Sequence, residues 1–337
     1  MSLMTYSHLL VTTLGHRLFL MMPSRHLGPL QTSAIGLGCM PMSWGYNVAD
    51  ADAMESRATL HLAVERGVTL FDTADVYGPY TNEETLGEYL VKDGLRDKVL
   101  LATKVGLTPI GPTEYGRNGK PEYVRSAIED SLKRLGTDYV DVYQLHRVDP
   151  EVPIEETWGA MSQLVTEGKV RFLGLSEVSV DEIARVHAIH PVTSVQSEFS
   201  IWTSDNVDNG VLEFTRDNGI GFMPFAPLGR GFLTGTITAQ SVTEGDFRSN
   251  NPRFTTQALA ANQAIVDGIA VVAARHDVAP AQIALAWVLA QGDHIVPIPG
   301  TKRRKWLEQN VAAVNVVLTA QDLADIAALP KSIAPRY

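Results

Sequence analysis

The sequence contains very little cysteine. Cys39 is the only cysteine among 337 residues, so the chain can form neither an internal disulfide nor a metal site built from several cysteines. A lone thiol is typical of a reducing compartment, and we expect a cytoplasmic location. His187 and His190 are spaced as metal ligands on a helix can be, but no further ligands accompany them, and we predict no metal site.

Positive charge is scarce as well. Lys and Arg number 28 against 38 Asp and Glu, which gives a formal net charge of −10. A nucleic-acid binder generally needs a basic face that displaces counterions, so we expect no nucleic-acid partner. No apolar run approaches the ~20 residues of a membrane-spanning helix, so we expect no membrane partner either.

The first 22 residues differ from the rest of the chain. This segment is apolar but is interrupted by His8, His16 and Arg17, and no small-residue cleavage site follows it. We interpret residues 1–22 as an extension ahead of one domain that spans residues 23–337, with Met22 as an alternative start. A degenerate signal peptide is the less favoured alternative.

Eight short β-branched runs alternate with amphipathic helical stretches. Regular alternation of this kind predicts a parallel sheet, and eight unbroken units favour a closed (β/α)8 TIM barrel over an open doubly wound sheet. The predicted strands are 34–37, 70–72, 99–103, 139–144, 170–175, 192–196, 221–224 and 294–298. The predicted helices are 52–67, 82–93, 121–135, 154–168, 180–189, 207–218, 279–291 and 303–313, and a further helix starts after Thr319.

The stretch 229–260 interrupts this regularity, because it is rich in glycine and asparagine. It predicts a long loop after the seventh strand, at the functional face of a barrel. Long loops in this position are often lids, and we favour that interpretation over a tolerated insertion.

Four polar residues fall at or just after the ends of three successive predicted strands. Asp72 ends the second strand, with Tyr77 in the loop after it, Lys104 ends the third strand and His146 ends the fourth. The carboxyl ends of barrel strands share one rim, so we expect these side chains to converge. Each residue alone has an ordinary structural explanation, as a cap, a loop aromatic, a rim charge or a core histidine.

Together these residues predict a proton donor. A free tyrosine has a pKa of about 10, and a nearby ammonium such as Lys104 lowers the pKa of a phenol. Asp72 would keep Lys104 charged and fixed, while His146 would orient a carbonyl oxygen or the phenol. No nucleophile is needed if a cofactor delivers hydride.

Several segments resemble a known family. FDTADVYG at 71–78, ATKVG at 102–106 and YQLHRVD at 143–149 resemble the catalytic segments of the aldo-keto reductases. The resemblance continues in order through about 300 residues, with LGLSEVS, VQSEFS, FAPLGRGFLTG and PIPGTKRRKWLEQN, and is nearest to the branch with plant-type and microbial aldehyde and pyridoxal reductases. It implies that Asp72, Tyr77, Lys104 and His146 form the catalytic tetrad.

The resemblance also implies a nicotinamide cofactor bound without a Rossmann fold. GLGCMP at 36–41 lacks the third glycine and the βαβ context of a dinucleotide fingerprint. The implied contacts with the nicotinamide half are Gly38, Cys39, Met40, Asp72, Ser176, Glu177, Gln196 and Phe225. The implied contacts with the pyrophosphate are Ala226, Pro227, Leu228, Gly229, Arg230 and Gly231. Gly300, Thr301, Lys302 and Arg303 would contact the 2′-phosphate, and Gln309 and Asn310 would lie near the adenine.

The basic run 302–305 opens the last barrel helix of an acidic protein. Cations are unfavourable at the positive end of a helix dipole, so their presence here is best explained by an anionic ligand. The 2′-phosphate of NADP is such a ligand. Three positions depart from the commonest family pattern. Glu177 replaces the Asn that many members have, Phe225 replaces a frequent Tyr, and Trp306 replaces a frequent Arg. The replacement at Trp306 weakens the expected preference for NADP.

The sequence therefore predicts an NADPH-dependent reductase of small-molecule aldehydes or ketones. The predicted mouth is apolar, with Trp44, Trp202 and Phe254 as candidates that could equally be core residues. The alternative from another class is a cofactor-binding regulatory subunit of potassium channels, which shares this fold and turns over slowly. The substrate, the direction of reaction and the oligomeric state are left open.

Overall fold

In a computed structural model, the described residues are 22–46, 51–111, 114–242 and 245–336. The predicted N-terminal extension therefore lies outside the described residues, apart from Met22. The strands are β1 (Ser24–Leu27), β2 (Leu30–Ser33), β3 (Leu37–Gly38), β4 (Leu70–Asp72), β5 (Leu100–Val105), β6 (Leu107–Pro109), β7 (Tyr115–Arg117), β8 (Val140–Leu145), β9 (Val170–Ser176), β10 (Ser194–Glu198) and β11 (Gly221–Phe225).

Seven of these strands form one parallel sheet, in the order β3-β4-β5-β8-β9-β10-β11. The segment 295–300 closes the sheet into a barrel, because it forms parallel bridges to Phe222 on one side and to Gly38 on the other. Val296 and Ile298 donate their amides to β11, while Pro297 and Pro299 accept hydrogen bonds from the other neighbour. Proline has no N–H to donate, so this eighth segment makes an incomplete ladder. The predicted (β/α)8 barrel is confirmed.

Helices join the strands on the outside of the barrel. The helices are α1 (Ala53–Glu65), α2 (Thr81–Leu86), α3 (Pro121–Leu135), α4 (Ile154–Thr166), α5 (Val180–His187), α6 (Asp205–Asp208), α7 (Val211–Asp217), α8 (Thr256–His276), α9 (Pro280–Leu289), α10 (Arg304–Val311) and α11 (Ala320–Ala327). The predicted capping box at the start of α5 is present, with Ser179 and Glu182 bonding reciprocally. The single helix predicted over 207–218 is split at Gly210, which adopts a φ of 80°.

The hairpin of β1 and β2 closes the amino-terminal end of the barrel and was missed by the sequence analysis. Leu27 and Leu30 are buried in one cluster with the barrel residues Leu70, Val142 and Met223. Gly221 is needed for this contact, since a Cβ there would lie 2.4 Å from the Cα of Leu27. The open end of the barrel is therefore the carboxyl rim.

The long loop after β11 is confirmed, but it ends earlier than predicted. Short 3-10 helices occupy much of it, and α8 begins at Thr256 with Thr255 as its side-chain cap. By length and composition α8 could cross a membrane, but 44% of its most apolar stretch is buried inside the protein. Ile265, Val266 and Ile269 pack there in the second core cluster, which accounts for the apolar character of this helix.

Candidate active site

A cavity of about 730 Å³ opens at the carboxyl rim of the barrel. Its walls come from the ends of the barrel strands, from the loop after β11 and from the start of α10. Asp72, Tyr77 and His146 line it, while Lys104 is fully buried behind them. The four residues predicted to converge from successive strand ends thus do lie together.

Lys104 connects the acidic and phenolic groups of this cluster. Its Nζ lies 2.5 Å from Oδ1 of Asp72 and 3.3 Å from the hydroxyl of Tyr77, and it also donates to the carbonyl of Thr73 at 2.7 Å. Burial disfavours the ammonium, but Asp72 and Tyr77 outweigh this and raise the pKa of Lys104. The lysine therefore stays charged beside the phenol.

Two amides hold the second oxygen of Asp72. Gln196 donates to Oδ2 at 2.8 Å, and Gln144 donates to the same oxygen at 3.1 Å. Gln144 was missed by the sequence analysis, although a polar residue within the buried strand β8 was the available signal. Because three side chains donate to this carboxylate, Asp72 is fixed in the orientation that pairs with Lys104.

His146 lies across the cavity floor from the phenol. The two rings meet edge to face with centroids 5.7 Å apart, and Nδ1 of His146 is buried without a hydrogen-bond partner among the described residues. Burial, together with the charges of Arg147 and Lys104, lowers the pKa of His146 well below its ordinary value. The imidazole is therefore neutral near pH 7 and can donate one hydrogen bond while keeping one lone pair.

The pKa of Tyr77 is shifted in the direction opposite to the one expected from Lys104 alone. Burial raises the pKa of Tyr77 by more than the charge of Lys104 lowers it, because the hydroxyl sits in a poorly solvated pocket. Tyr77 therefore carries its proton at neutral pH, as an acid that donates to a substrate must.

These pKa directions predict a pH profile for the carbonyl reduction that the sequence leads us to expect. Since His146 stays neutral and Tyr77 stays protonated, kcat/KM should be flat from about pH 6 to about pH 9 and should fall only when the phenol ionises, above its ordinary pKa of about 10. Steady-state rates across this range measure it. An inflection near pH 6.5 that disappears in His146→Gln would contradict the neutral histidine.

Most of the predicted cofactor contacts line this one cavity. They are Gly38, Met40, Asp72, Ser176, Gln196, Phe225, Ala226, Leu228, Arg230, Gly231, Gly300, Thr301, Lys302, Arg303, Gln309 and Asn310. These residues come from the strand ends β3 and β11, from the loop after β11 and from the last barrel helix α10. Cys39, Glu177, Pro227 and Gly229 do not line it.

The carboxylate of Glu177 is engaged by the protein itself. It accepts the amide of Glu198 at 2.8 Å and both terminal nitrogens of Arg336, at 3.2 and 2.5 Å. The backbone of Glu177 has a φ of 54°, a conformation that asparagine tolerates better than most residues, which explains why asparagine suits this position. A contact between Glu177 and a carboxamide stays a prediction.

The residues of the basic run at the start of α10 do not all face the cavity. Lys302 and Arg303 line the cavity, whereas Arg304 is held outside it by Glu55, with Nη2 at 2.8 Å from Oε2. Glu55 also accepts the backbone amide of Arg304 at 3.0 Å and so caps the helix. One backbone amide at the start of α10 is therefore already bonded within the protein.

Aromatic rings form the wall above Tyr77. The ring of Trp44 lies 5.2 Å from that of Tyr77, 5.4 Å from that of Tyr115 and 4.6 Å from that of Phe247. Phe247 comes from the long loop after β11, which therefore reaches across the cavity. Trp202 and Phe254, the other two candidates for the mouth, pack instead in the second core cluster.

The fold and the site define a (β/α)8 barrel protein whose open rim carries a lysine between a carboxylate and a phenol. The chain matches the model of the aldo/keto reductase family over residues 34–331. It therefore belongs to this family of oxidoreductases, which act on small-molecule carbonyl compounds with nicotinamide cofactors.

Similar proteins agree with this assignment. The chain is 45% identical over 296 residues to a protein named probable aldo-keto reductase 1 from Glycine max, covering 88% of this chain and 85% of that one. A glycerol dehydrogenase from Gluconobacter oxydans superposes with a TM-score of 0.82 at 26% identity, over 93% and 98% of the two chains. The holo form of an aldo-keto reductase from Bacillus halodurans superposes with a TM-score of 0.73 at 27% identity, also over 93% and 98%.

Proposed function

We propose that the protein reduces aldehydes or ketones to alcohols with NADPH and that Tyr77 is the general acid. One observation carries the proposal: at the floor of the cavity, Nζ of Lys104 lies 2.5 Å from the carboxylate of Asp72 and 3.3 Å from the hydroxyl of Tyr77. This arrangement holds a protonated phenol beside a fixed positive charge, which is what a proton donor to a carbonyl oxygen needs.

Each of the four polar residues has a role in this reaction. The hydride for the carbonyl carbon would come from NADPH when it is bound. Tyr77 gives its proton to the carbonyl oxygen, and Lys104 stabilises the negative charge that is left on the phenol. His146 donates a hydrogen bond to the substrate oxygen from its neutral ring, and Asp72 keeps Lys104 charged and in place.

The residues of the cavity fit a phosphorylated nicotinamide cofactor. Phe225 offers a ring for stacking at the catalytic end, and such contacts need only a flat face. Lys302 and Arg303 line the far end of the same cavity, where a 2′-phosphate would gain charge-assisted hydrogen bonds. NADPH is therefore the proposed cofactor in preference to NADH.

Lys302→Ala should weaken NADPH binding much more than NADH binding. The loss of a charge-assisted hydrogen bond of about 1.5–3 kcal/mol corresponds to roughly 10- to 100-fold in Kd. Calorimetric titration of both cofactors measures this effect without turnover. Arg304→Ala is the matched control, because Glu55 holds Arg304 outside the cavity, and the proposed phosphate site is contradicted if the two variants behave alike.

The function itself is tested with the purified wild-type protein. The loss of nicotinamide absorbance is followed with NADPH or NADH and a panel of aliphatic and aromatic aldehydes, and the alcohol product is identified by mass spectrometry. We expect alcohol to form in equal amount to the cofactor that is oxidised. Tight cofactor binding without alcohol formation from any aldehyde would overturn the reductase proposal and favour a regulatory role.

We also propose that residues 23–337 act as one catalytic domain in the cytoplasm. The single thiol, Cys39, is buried, and burial raises its pKa strongly. A buried protonated thiol is a poor nucleophile, so Cys39 is a packing residue in this proposal.

A further inference from the structure

Arg147 is a charged residue of the cavity that the proposed chemistry leaves unused. It follows His146 at the end of β8 and lines the cavity with Tyr77 and Trp44. It is half-buried, and its charge acts on both Tyr77 and His146. A guanidinium therefore sits at the reacting end of the cavity, in addition to the buried ammonium of Lys104.

The guanidinium of Arg147 is anchored through one nitrogen only. Nη1 donates to the carbonyl of His146 at 2.6 Å and to Oγ of Ser176 at 3.0 Å. Within the described residues, Nε and Nη2 have no hydrogen-bond partner, and no carboxylate forms an ion pair with this side chain. Arginine has five N–H donors in a planar fork that matches a carboxylate or phosphate. The edge formed by Nε and Nη2 can therefore donate to such a group.

Three other cations at or beside this part of the cavity have carboxylate partners. Lys104 pairs with Asp72, Arg230 with Glu198 at 2.9 Å, and Arg248 with Asp246 at 2.7 Å. A half-buried guanidinium without such a partner loses part of its hydration and regains little in return. An anion that enters the cavity would supply the missing charge.

We propose that Arg147 binds an anionic group of the substrate, so that the preferred substrates are aldehydes or ketones that carry a carboxylate or phosphate on an aromatic or apolar body. The inference rests on the proposed reductase function and names the substrate class of the same site. The rings of Trp44, Tyr115 and Phe247 form the wall for the apolar body. Neutral aldehydes, which an apolar mouth alone would suit, are the poorer substrates in this proposal.

Arg147 also has a structural role, because it ties the end of β8 to Ser176 at the end of β9. Loss of that tie lowers the rates of charged and neutral substrates alike. Loss of an anion site changes only their ratio. The discriminating quantity is therefore the ratio of kcat/KM for a matched pair, para-carboxybenzaldehyde and its uncharged methyl ester.

We expect the wild type to favour the acid over the ester by roughly 10- to 100-fold. Arg147→Met should bring the ratio near unity, Arg147→Glu should invert it, and Arg147→Lys should keep part of it because the charge remains without the fork. Arg125→Met is the control for net charge, since Arg125 is a surface residue paired with Glu167. para-Formylphenyl phosphate, run beside the acid, distinguishes a phosphate preference from a carboxylate preference.

A wild-type ratio near unity, or a ratio that Arg147→Met leaves unchanged, overturns the inference while the reductase function stands. If other aldehydes of the panel are reduced but neither of these two is, the inference is overturned. If no aldehyde at all is reduced, the proposed function fails, and the test of Arg147 is then ligand binding. Calorimetric titration of para-(hydroxymethyl)benzoate into the cofactor-loaded protein then supports the anion site if Arg147→Met weakens binding at least tenfold. Equal binding by the wild type and Arg147→Met overturns it.

Discussion

Tyr77→Phe should lower kcat for aldehyde reduction by about 10²- to 10⁴-fold, the usual contribution of a positioned general acid. The substitution removes one hydroxyl and keeps the ring that packs on Trp44 at 5.2 Å. Lys104 keeps its bonds to Asp72 and to the carbonyl of Thr73, so the fold and the cofactor affinity should be preserved. Single-turnover rates and cofactor titrations measure the two effects separately.

Tyr143→Phe is the matched control for this experiment. Tyr143 is fully buried, and its hydroxyl has no hydrogen-bond partner among the described residues. It faces the outer core cluster rather than the cavity, so deletion of its hydroxyl should leave the rate nearly unchanged. If Tyr77→Phe keeps more than about a tenth of the wild-type rate, Tyr77 is not the general acid.

Lys104→Met should both inactivate and destabilise the protein. Lys104 and Asp72 are almost completely buried and bonded to each other. Removal of one member of a buried ion pair leaves the other charge uncompensated, which lowers the free energy of unfolding by about 3–5 kcal/mol. Urea denaturation followed by circular dichroism measures the loss, and aldehyde reduction at low temperature measures the inactivation.

The double variant Asp72→Asn/Lys104→Met separates the two effects. It removes both charges and keeps an acceptor for the amides of Gln144 and Gln196, so at least half of the lost stability should return. Activity should stay low, because no charge then stabilises the phenolate. Recovery of activity together with stability would mean that Lys104 is a structural residue only.

The approximate positions of the barrel strands and of most helices could be predicted from the sequence alone, whereas the hairpins β1–β2 and β6–β7 were not predicted. β4 and α3 were placed at their observed bounds, because a short apolar run and a helix that opens with Pro121 and is followed by Gly136 are strong local signals. α8 was missed: the predicted loop ran past its cap at Thr255 to residue 260, and no helix was predicted between that loop and residue 279. The hairpin of β1 and β2 was missed because its two short strands carry no strong periodicity.

The arrangement of polar residues in the cavity could be predicted only in outline. Asp72, Lys104 and His146 end successive barrel strands, so their convergence on one rim follows from the order of the strands. The direction in which the pKa of Tyr77 shifts could not be predicted from the sequence, because it depends on how completely the hydroxyl is buried. Likewise, Glu55 lies 249 positions from Arg304 in the chain, and no local pattern indicates that pair.

The sequence by itself determined the barrel class, the family and the four polar residues at the rim, because each of these follows from local patterns or short motifs. The tertiary structure decided which of the remaining charges are neutralised: Arg304 is paired with Glu55 and Glu177 with Arg336, while Arg147 has no such pair among the described residues. Pairing depends on side-chain distances between segments far apart in the chain, and only folding sets those distances.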